Sequence, residues 1–244
     1  MRNTGRILIF WLLLVVTATS AARAEPVRFH TLDIPPYGFT DAAGMKHGML
    51  YDIANVIADE AGLNISHDLV PLARIVKEVQ QGVPLCTIVT KSPFSESMAT
   101  AVAHTGQDTV VAAVARKGII LKNYEDLYRL DVVITRGSYI GHKFDKDTLI
   151  KKRFANDGDQ GVRMLQRGRV DAMVAPLETT YFNMAKNGYD RREVTAPVPL
   201  VSREFWLHCT KNSFGEGLIT TLRNATQKLA KAGTLAKIWD GYLH

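Results

Sequence analysis

The stretch VRFHTLDIPPYGFTDAAGMKHGMLYDIANVIADEAGLNISHDLV, residues 27–70, decides the fold because it holds a strand, a helix and a second strand. Residues 27–32 alternate between apolar and polar side chains, which is typical of a half-buried strand. Residues 49–61 carry apolar side chains at helical spacing, and Gly62 ends this helix. Residues 65–70 form the second predicted strand. A strand–helix–strand unit predicts parallel strands whose faces are covered by helices.

Strands and helices alternate in the same way through the rest of the chain, without a tandem repeat or a low-complexity segment. The alternation predicts an α/β protein with mainly parallel sheets flanked by helices. Further strands are predicted at residues 85–89, 109–115, 131–134, 170–174 and 205–209, and further helices at residues 72–79, 161–167, 177–187 and 217–232.

Residues 1–24 have the order of a cleavable secretory signal peptide. Arg2 and Arg6 give a positive start, residues 7–16 are apolar, and small residues lead to a cleavage site after Ala24. The apolar run is shorter than the roughly 20 residues of a membrane span. An uncleaved membrane anchor is the alternative. We therefore expect an exported protein that acts in the periplasm.

Charge and composition fit an ordinary globular protein. The formal net charge of +6 falls to +3 when Arg2, Arg6 and Arg23 leave with the signal peptide. The remaining Lys and Arg residues are scattered except for the clusters Lys151–Arg153 and Arg191–Arg192, which we interpret as solvated faces and not as nucleic-acid surfaces. Of the 244 residues, 220 remain after cleavage, enough for one large or two small domains.

Catalytic and metal-binding motifs are missing from the sequence. The seven histidines are dispersed, and none has the spacing of a zinc site. There is no nucleophile elbow, no P-loop and no Rossmann glycine fingerprint. We therefore expect a protein that is not an enzyme and uses no catalytic residue, metal or cofactor.

Four segments together resemble the bacterial extracellular solute-binding proteins of the polar-amino-acid type, also called family 3. They are PPYGFTDAAGMKHGMLYDIANVIADEAGL at 35–63, ILKNYEDLYRLDVVITRGSY at 120–139, LQRGRVDAMVA at 165–175 and GLITTLRNATQKLAKAGTLAKIWDGYL at 217–243. Each motif alone is weak, but their order and spacing identify the chain as a divergent member of this family.

The resemblance implies a two-lobe, type II periplasmic-binding fold that closes like a Venus flytrap. Lobe 1 would comprise residues 25–109 plus 203–244, and lobe 2 residues 110–202, joined by two crossover strands. A small polar ligand, amino-acid-like or an organic acid, would lie between the lobes. The resemblance further implies a monomer that delivers this ligand to the membrane permease of an ABC-type importer.

The resemblance also places candidate ligand-binding residues. Tyr37, stiffened by Pro35 and Pro36, would stack on the ligand, with Phe39 as the better candidate for lobe packing. A polar loop after the third strand and a glycine loop in lobe 2 would add hydroxyls, backbone N–H groups and cations. These loops contain Thr90, Lys91 and Ser92, and Arg136, Gly137 and Ser138, respectively.

The charged anchors that hold an α-amino acid in this family are replaced here. Ser97 lies where the family carries an Arg that binds the ligand carboxylate, and Pro176 lies where it carries an Asp for the amino group. Either Lys91 and Glu178 take over these roles, or the ligand belongs to another class.

Cys86 and Cys209 fall on strands that would be neighbours in this topology, so the resemblance makes a disulfide between them a candidate. Two buried thiols are the alternative.

Two other functions stay open. Some relatives with this fold are dehydratases of cyclic acids that use a cleft carboxylate as general acid, and Glu178 would be that group if burial raised its pKa. The chain would otherwise be the ligand-sensing input of a membrane receptor, and nothing in the sequence separates that role from transport.

Overall fold

The computed structural model describes residues 25–243. The predicted signal peptide lies outside the described residues. Among the helices that are described, none is long and apolar enough to cross a membrane.

Within residues 25–243, ten strands and eight helices follow one another along the chain. The strands are β1 Val27–Leu32, β2 Phe39–Thr40, β3 Lys46–His47, β4 Ile65–Val70, β5 Cys86–Thr90, β6 Ala99–Ala115, β7 Asp131–Thr135, β8 Lys151–Ala155, β9 Ala172–Pro176 and β10 Val198–Thr210. The helices are α1 Met49–Glu60, α2 Leu72–Gln80, α3 Pro93–Met98, α4 His142–Lys146, α5 Gly158–Gln166, α6 Leu177–Lys186, α7 Glu216–Lys231 and α8 Thr234–Gly241, with 3-10 turns at Tyr124–Arg129 and Arg191–Glu193.

Eight of the strands form one sheet in the order β4-β1-β5-β10-β6-β9-β7-β8. We call the half of the sheet with β4, β1 and β5 the first side and the half with β9, β7 and β8 the second side. On the first side, β1 runs parallel to β4 and β5, and on the second side β7 runs parallel to β8 and β9. The central strands β10 and β6 are antiparallel to each other and to their outer neighbours. The α/β prediction with mainly parallel strands flanked by helices is therefore confirmed.

Each side of the sheet has its own hydrophobic core. On the first side, one cluster joins β1, α1, α2, β5, α7 and α8 around Phe29 and Ile53, which are fully buried. On the second side, two clusters cover opposite faces of β7, with Val132 in one and Val133 in the other. This arrangement follows from the alternation of side chains along a strand, because both faces of β7 are covered.

Strands β6 and β10 are longer than the sequence predicts, because each passes from one side of the sheet to the other. Only their apolar ends, residues 109–115 and 205–209, were expected as strands. The polar middle of β6, HTGQD at residues 104–108, and the prolines at the start of β10 hide the rest. Pro199 lies inside β10, at a register irregularity of the ladder with β6, where a missing N–H is tolerated.

Several short elements were not expected from the sequence, among them β8 and α3. The cluster Lys151–Arg153, expected as a solvated face, belongs to the edge strand β8, where Lys151 and Arg153 both pair with Asp131. Charged side chains are common on such unpaired edges. Helix α3 begins after Ser92, whose hydroxyl accepts from the Ser95 backbone N–H, and Ser95 reciprocates as in a capping box.

The Cys86–Cys209 disulfide is present and confirms the candidate pairing. The two cysteines lie directly opposite each other in the antiparallel β5–β10 pair, with Cα atoms 4.1 Å apart, and both are buried. The bond ties together strands that are separated by 123 residues in sequence.

Candidate functional site

Tyr37 and Glu178 meet between the two sides of the sheet, although they lie 141 residues apart. The Tyr37 hydroxyl donates a 2.8 Å hydrogen bond to Oε1 of Glu178, and both residues are buried. Tyr37 lies on the loop between β1 and β2, and Glu178 is the second residue of α6. The predicted candidates from the two sides are therefore in direct contact.

The start of helix α1 holds the backbone of Tyr37 in place. The Pro36 carbonyl accepts from Met49 N–H, and the Tyr37 carbonyl accepts from the N–H groups of Leu50 and Tyr51. These N–H groups have no partner within the helix. The loop carbonyls therefore cap the start of the helix, and the same bonds hold the loop in place. Gly48 is required here, because a Cβ at its φ of +136° would lie 2.4 Å from the Tyr37 carbonyl oxygen.

The Tyr37 ring packs into an aromatic group of the first core. Its centroid lies 5.4 Å from Phe205 and 6.4 Å from Trp239, and those two rings lie 5.4 Å apart. The core therefore positions the ring, and the hydroxyl is the group that Tyr37 presents to the second side. A contact between Tyr37 and a ligand stays a prediction.

Burial dominates the electrostatics of Glu178. Loss of solvent raises the pKa of its carboxyl above the ordinary 4.5, and the nearby Thr109 hydroxyl, its own backbone N–H and the bond from Tyr37 lower it only in part. Burial and the nearby Glu178 charge also raise the pKa of Tyr37 well above 10. The Tyr37 hydroxyl therefore stays protonated and keeps its donor role over the ordinary pH range.

Two buried threonines complete what we call the Tyr37–Glu178 cluster, which consists of Tyr37, Thr109, Glu178 and Thr179. Thr109 lies in the middle of β6, and Thr179 follows Glu178 in α6. Both hydroxyls are near enough to lower the pKa of Tyr37, yet neither has a hydrogen-bond partner of normal geometry. Buried hydroxyls without partners are rare in native proteins and indicate a place where a polar occupant would gain hydrogen bonds.

In the Glu178→Gln variant, the free energy of unfolding should change less between pH 4 and pH 7 than in the wild type. A raised pKa means that the folded state binds more protons than the unfolded state between pH 4.5 and the folded value. The wild type should therefore lose stability relative to the variant as pH rises from 4 to 7, while Gln keeps an oxygen that accepts from Tyr37. Urea unfolding of both proteins at pH 4 and pH 7 measures this difference. A difference that is constant, or that shifts in favour of the wild type at pH 7, would contradict the raised pKa.

Phe39 also joins the two sides of the sheet. Its ring centroid lies 5.6 Å from Phe182 of α6 and 6.3 Å from Tyr242 near the carboxyl end of the chain. Phe39 is half-buried. A contact between Phe39 and a ligand stays a prediction.

The loop after β5 lies partly within the first side of the sheet. The Lys91 ammonium lies 4.1 Å above the Trp206 ring and 3.5 Å from the Glu96 carboxylate. Ser92 caps α3, and Thr90 is half-buried opposite Phe205. Lys91 thus has two partners already, which a ligand carboxylate would have to displace.

The remaining predicted residues make local contacts at the surface. Ser97 donates to the Phe94 carbonyl, and Ser138 donates to the Thr135 carbonyl. The exposed Arg136 lies with its guanidinium 5.7 Å from the Phe154 ring, and Gly137 has a φ of +77°. The structure does not place these four residues in the Tyr37–Glu178 cluster, and their ligand contacts stay predictions.

Sequence reasoning missed Thr109 and Thr179, and it missed the role of Arg203. Arg203 donates to the carbonyls of Tyr139 and Ile140 and so ties the glycine loop to β10. For Thr109 and Arg203, the only feature of the sequence that could have indicated them was their position. Thr109 is the last residue of the first predicted segment of lobe 1, and Arg203 is the first residue of the second segment. Within residues 25–243, no group of three or more His, Cys, Asp or Glu side chains is placed to hold a metal ion.

Known structures share this architecture. No family model matches the sequence, and no curated protein matches it. An ancestral arginine-binding protein bound to arginine aligns with a TM-score of 0.72 and 23% identity, over 90% of this chain and 98% of that chain.

Two further structures that are similar to this chain are a solute receptor and a sensor domain. The solute receptor for L-cysteine of Neisseria gonorrhoeae gives a TM-score of 0.70 and 18% identity, over 89% of both chains. A histidine kinase sensor domain with similarity to periplasmic binding proteins gives 0.73 and 16%, over 89% of this chain and 95% of that chain. At these identities the likeness establishes the fold, which is that of the periplasmic binding proteins.

Proposed function

We propose that this chain is a periplasmic solute-binding protein that closes two lobes on a small polar ligand at the Tyr37–Glu178 cluster. It would act as a monomer and deliver the ligand to the permease of an ABC-type importer. The observation that carries the proposal is the buried contact of Tyr37 with Glu178 beside two hydroxyls without partners. Structures with the same fold include proteins that bind arginine and L-cysteine.

The proposed lobes are residues 25–109 plus 203–244 and residues 110–202. Their boundaries lie opposite each other in the central ladder, where Thr109 pairs with Arg203 and Val110 with Ser202. Close by, the ladder is irregular between the pairs Asp108–Glu204 and His104–Trp206, and Gly106 has a φ of +78°.

This irregular segment is the proposed hinge. Hinges absorb backbone rotation over a few residues, and a break in the ladder leaves fewer hydrogen bonds to oppose the rotation. Only strands β6 and β10 need to bend there, because the two hydrophobic cores lie on either side of the hinge.

The ligand would replace the direct Tyr37–Glu178 bond with bonds of its own. A group with N–H or O–H donors would satisfy the Glu178 carboxylate, and acceptor atoms would engage the hydroxyls of Tyr37, Thr109 and Thr179. Such a molecule stabilises the closed form only by contacts that the open form cannot make. These requirements fit an amino-acid-like compound or an organic acid with hydroxyl groups.

The other candidate residues would act at the edge of this site. Thr90, Lys91 and Ser92 come from the first lobe, while Arg136, Gly137 and Ser138 come from the second. Phe39 would support the lobe contact, and Ser97 would be too small to replace an Arg anchor. An anionic group on the ligand would therefore be held by Lys91 or Arg136.

A thermal-shift screen of amino acids, organic acids and opine-like compounds tests the proposal. A true ligand should raise the melting temperature with concentration, because at a hundredfold excess over its Kd it raises the free energy of unfolding by about 2.7 kcal/mol. Glu178→Gln and Tyr37→Phe should reduce this shift, whereas Thr221→Ala, on the exposed face of α7, should not. If no compound stabilises the wild type, or if the three variants respond alike, ligand binding at this cluster is wrong.

Two observations favour alternatives. The similar histidine kinase sensor domain supports a role as the input of a membrane receptor, which uptake assays with and without the permease would separate from transport.

Burial that raises the pKa of Glu178 supports a dehydratase with Glu178 as general acid. Mass spectrometry can detect the loss of water from cyclic acids. Such a loss, if Glu178→Gln abolished it, would establish that activity.

A further inference from the structure

A separate apolar cavity of about 140 Å³ lies within the first side of the sheet. It lies between α2, α3 and one face of the β5–β10 pair and is partly open to solvent. Most of its wall is hydrophobic, and its lining residues include Ile75, Val76, Val89, Met98, Thr87 and His208.

Two residues that line this cavity each carry a fully buried polar atom without a partner. His208 is 0% exposed and Thr87 is 3% exposed, yet Nε2 of His208 and the hydroxyl of Thr87 form no hydrogen bond. The two residues are opposite each other in the β5–β10 ladder. A buried polar group without a partner is unfavourable by about 1–3 kcal/mol, so two in one apolar cavity call for an occupant.

The hydrogen bonding of His208 fixes what that occupant must offer. Nδ1 lies 2.9 Å from the Trp206 carbonyl oxygen, which can only accept, so the ring proton is on Nδ1. Burial lowers the pKa of His208, which keeps the ring neutral. Nε2 is therefore an acceptor, and it needs an O–H or N–H donor.

We propose that this cavity is a second binding site, for a small neutral aryl alcohol of about the size of phenol. The hydroxyl of the ligand would donate to Nε2 of His208 and accept from the hydroxyl of Thr87. The ring would fill the apolar remainder. A cavity of about 150 Å³ in another protein holds benzene, so this volume suits one ring.

The site is distinct from the Tyr37–Glu178 cluster. Side chains alternate along β10, so Phe205, which packs on Tyr37, and His208 point to opposite faces of the sheet. Leu72 and Phe94 are 47% and 57% exposed and lie at the cavity edge, between the starts of α2 and α3. Two exposed apolar side chains at that position give an entrance from solvent.

Phenol and toluene form a matched pair of probes, because a methyl group in toluene replaces the hydroxyl of phenol. Calorimetric titration of residues 25–244 should give phenol an affinity about 25-fold higher than that of toluene, as expected for two net hydrogen bonds of about 1 kcal/mol each. His208→Phe and Thr87→Val should each lower the affinity for phenol about fivefold and leave that for toluene unchanged. Val76→Phe, which fills the cavity, should remove the binding of both probes.

Two controls keep the test independent of misfolding. Thr100→Val makes the same change as Thr87→Val at an exposed strand position and should leave phenol binding intact. In the wild type, long-range proton–nitrogen spectra should show the His208 Nε2 resonance moving with phenol but not with toluene, while the exposed His142 stays constant. Equal affinities for the two probes, a His208 resonance that does not move with phenol, or binding that survives Val76→Phe would overturn the proposal.

Discussion

Replacement of both Cys86 and Cys209 by alanine lowers the free energy of unfolding by about 2–5 kcal/mol, the usual effect of losing a native disulfide. The bond closes a loop of 123 residues. In the chain-entropy model, closing a loop of this size lowers the conformational entropy of the unfolded chain and so raises its free energy by about 4–5 kcal/mol. Alanine is the suitable replacement, because both positions are buried in the first core and a serine hydroxyl there would lack a partner.

Urea unfolding of three samples measures this effect: the oxidised wild type, the wild type in dithiothreitol and the double alanine variant. The reduced wild type should unfold at a lower urea concentration than the oxidised protein and close to the variant. Equal midpoints for the oxidised wild type and the variant would mean that the bond does not constrain the unfolded chain. A second variant, Cys209→Ala alone, keeps Cys86 as a free thiol and shows whether that thiol by itself changes the stability.

Tyr37→Ala should be destabilising by about 3–5 kcal/mol, the range for a large buried aromatic side chain. The ring is 6% exposed and packs against Phe205 and Trp239, so its removal leaves a cavity in the first core. It also leaves the buried Glu178 without the Tyr37 donor. The variant should therefore lose both stability and any affinity for a ligand between the lobes.

Tyr37→Phe separates these two effects. Phe keeps the ring and the core packing but removes the hydroxyl, so we expect a loss of about 1–2 kcal/mol in stability. Unfolding curves for the two variants and the wild type give the comparison. If Tyr37→Ala destabilised no more than Tyr37→Phe, the aromatic packing would not be what holds Tyr37. If neither variant changed ligand affinity, the hydroxyl would not be a ligand contact.

Local pattern was enough to predict most of the first side of the sheet. Strands β1 and β4 and helix α1 are close to their predicted bounds, because apolar spacing and Gly62 mark them clearly. Strand β6 was predicted only in part, since its middle is polar where it crosses between the two cores. Charge likewise hid β8, whose Lys and Arg residues serve an exposed edge.

The candidate site depends on contacts that no local pattern carries. Tyr37 and Glu178 were singled out by resemblance, but their mutual bond requires the two sides to close on each other. Thr109 is one threonine among many in the sequence, and its importance comes only from its place at the crossing of β6. His208 and Thr87 gave no signal at all, because a lone histidine in an apolar strand is ordinary until its partners are known.

The disulfide has a further consequence, for the mechanics of the molecule. Residues 110–202 lie entirely within the covalent ring that Cys86 and Cys209 close. A force applied to the two ends of residues 25–243 therefore passes through the disulfide, at the first residue of β5 and near the end of β10, and not along the backbone of residues 110–202. While the bond is intact, that segment adds nothing to the extended length of the chain.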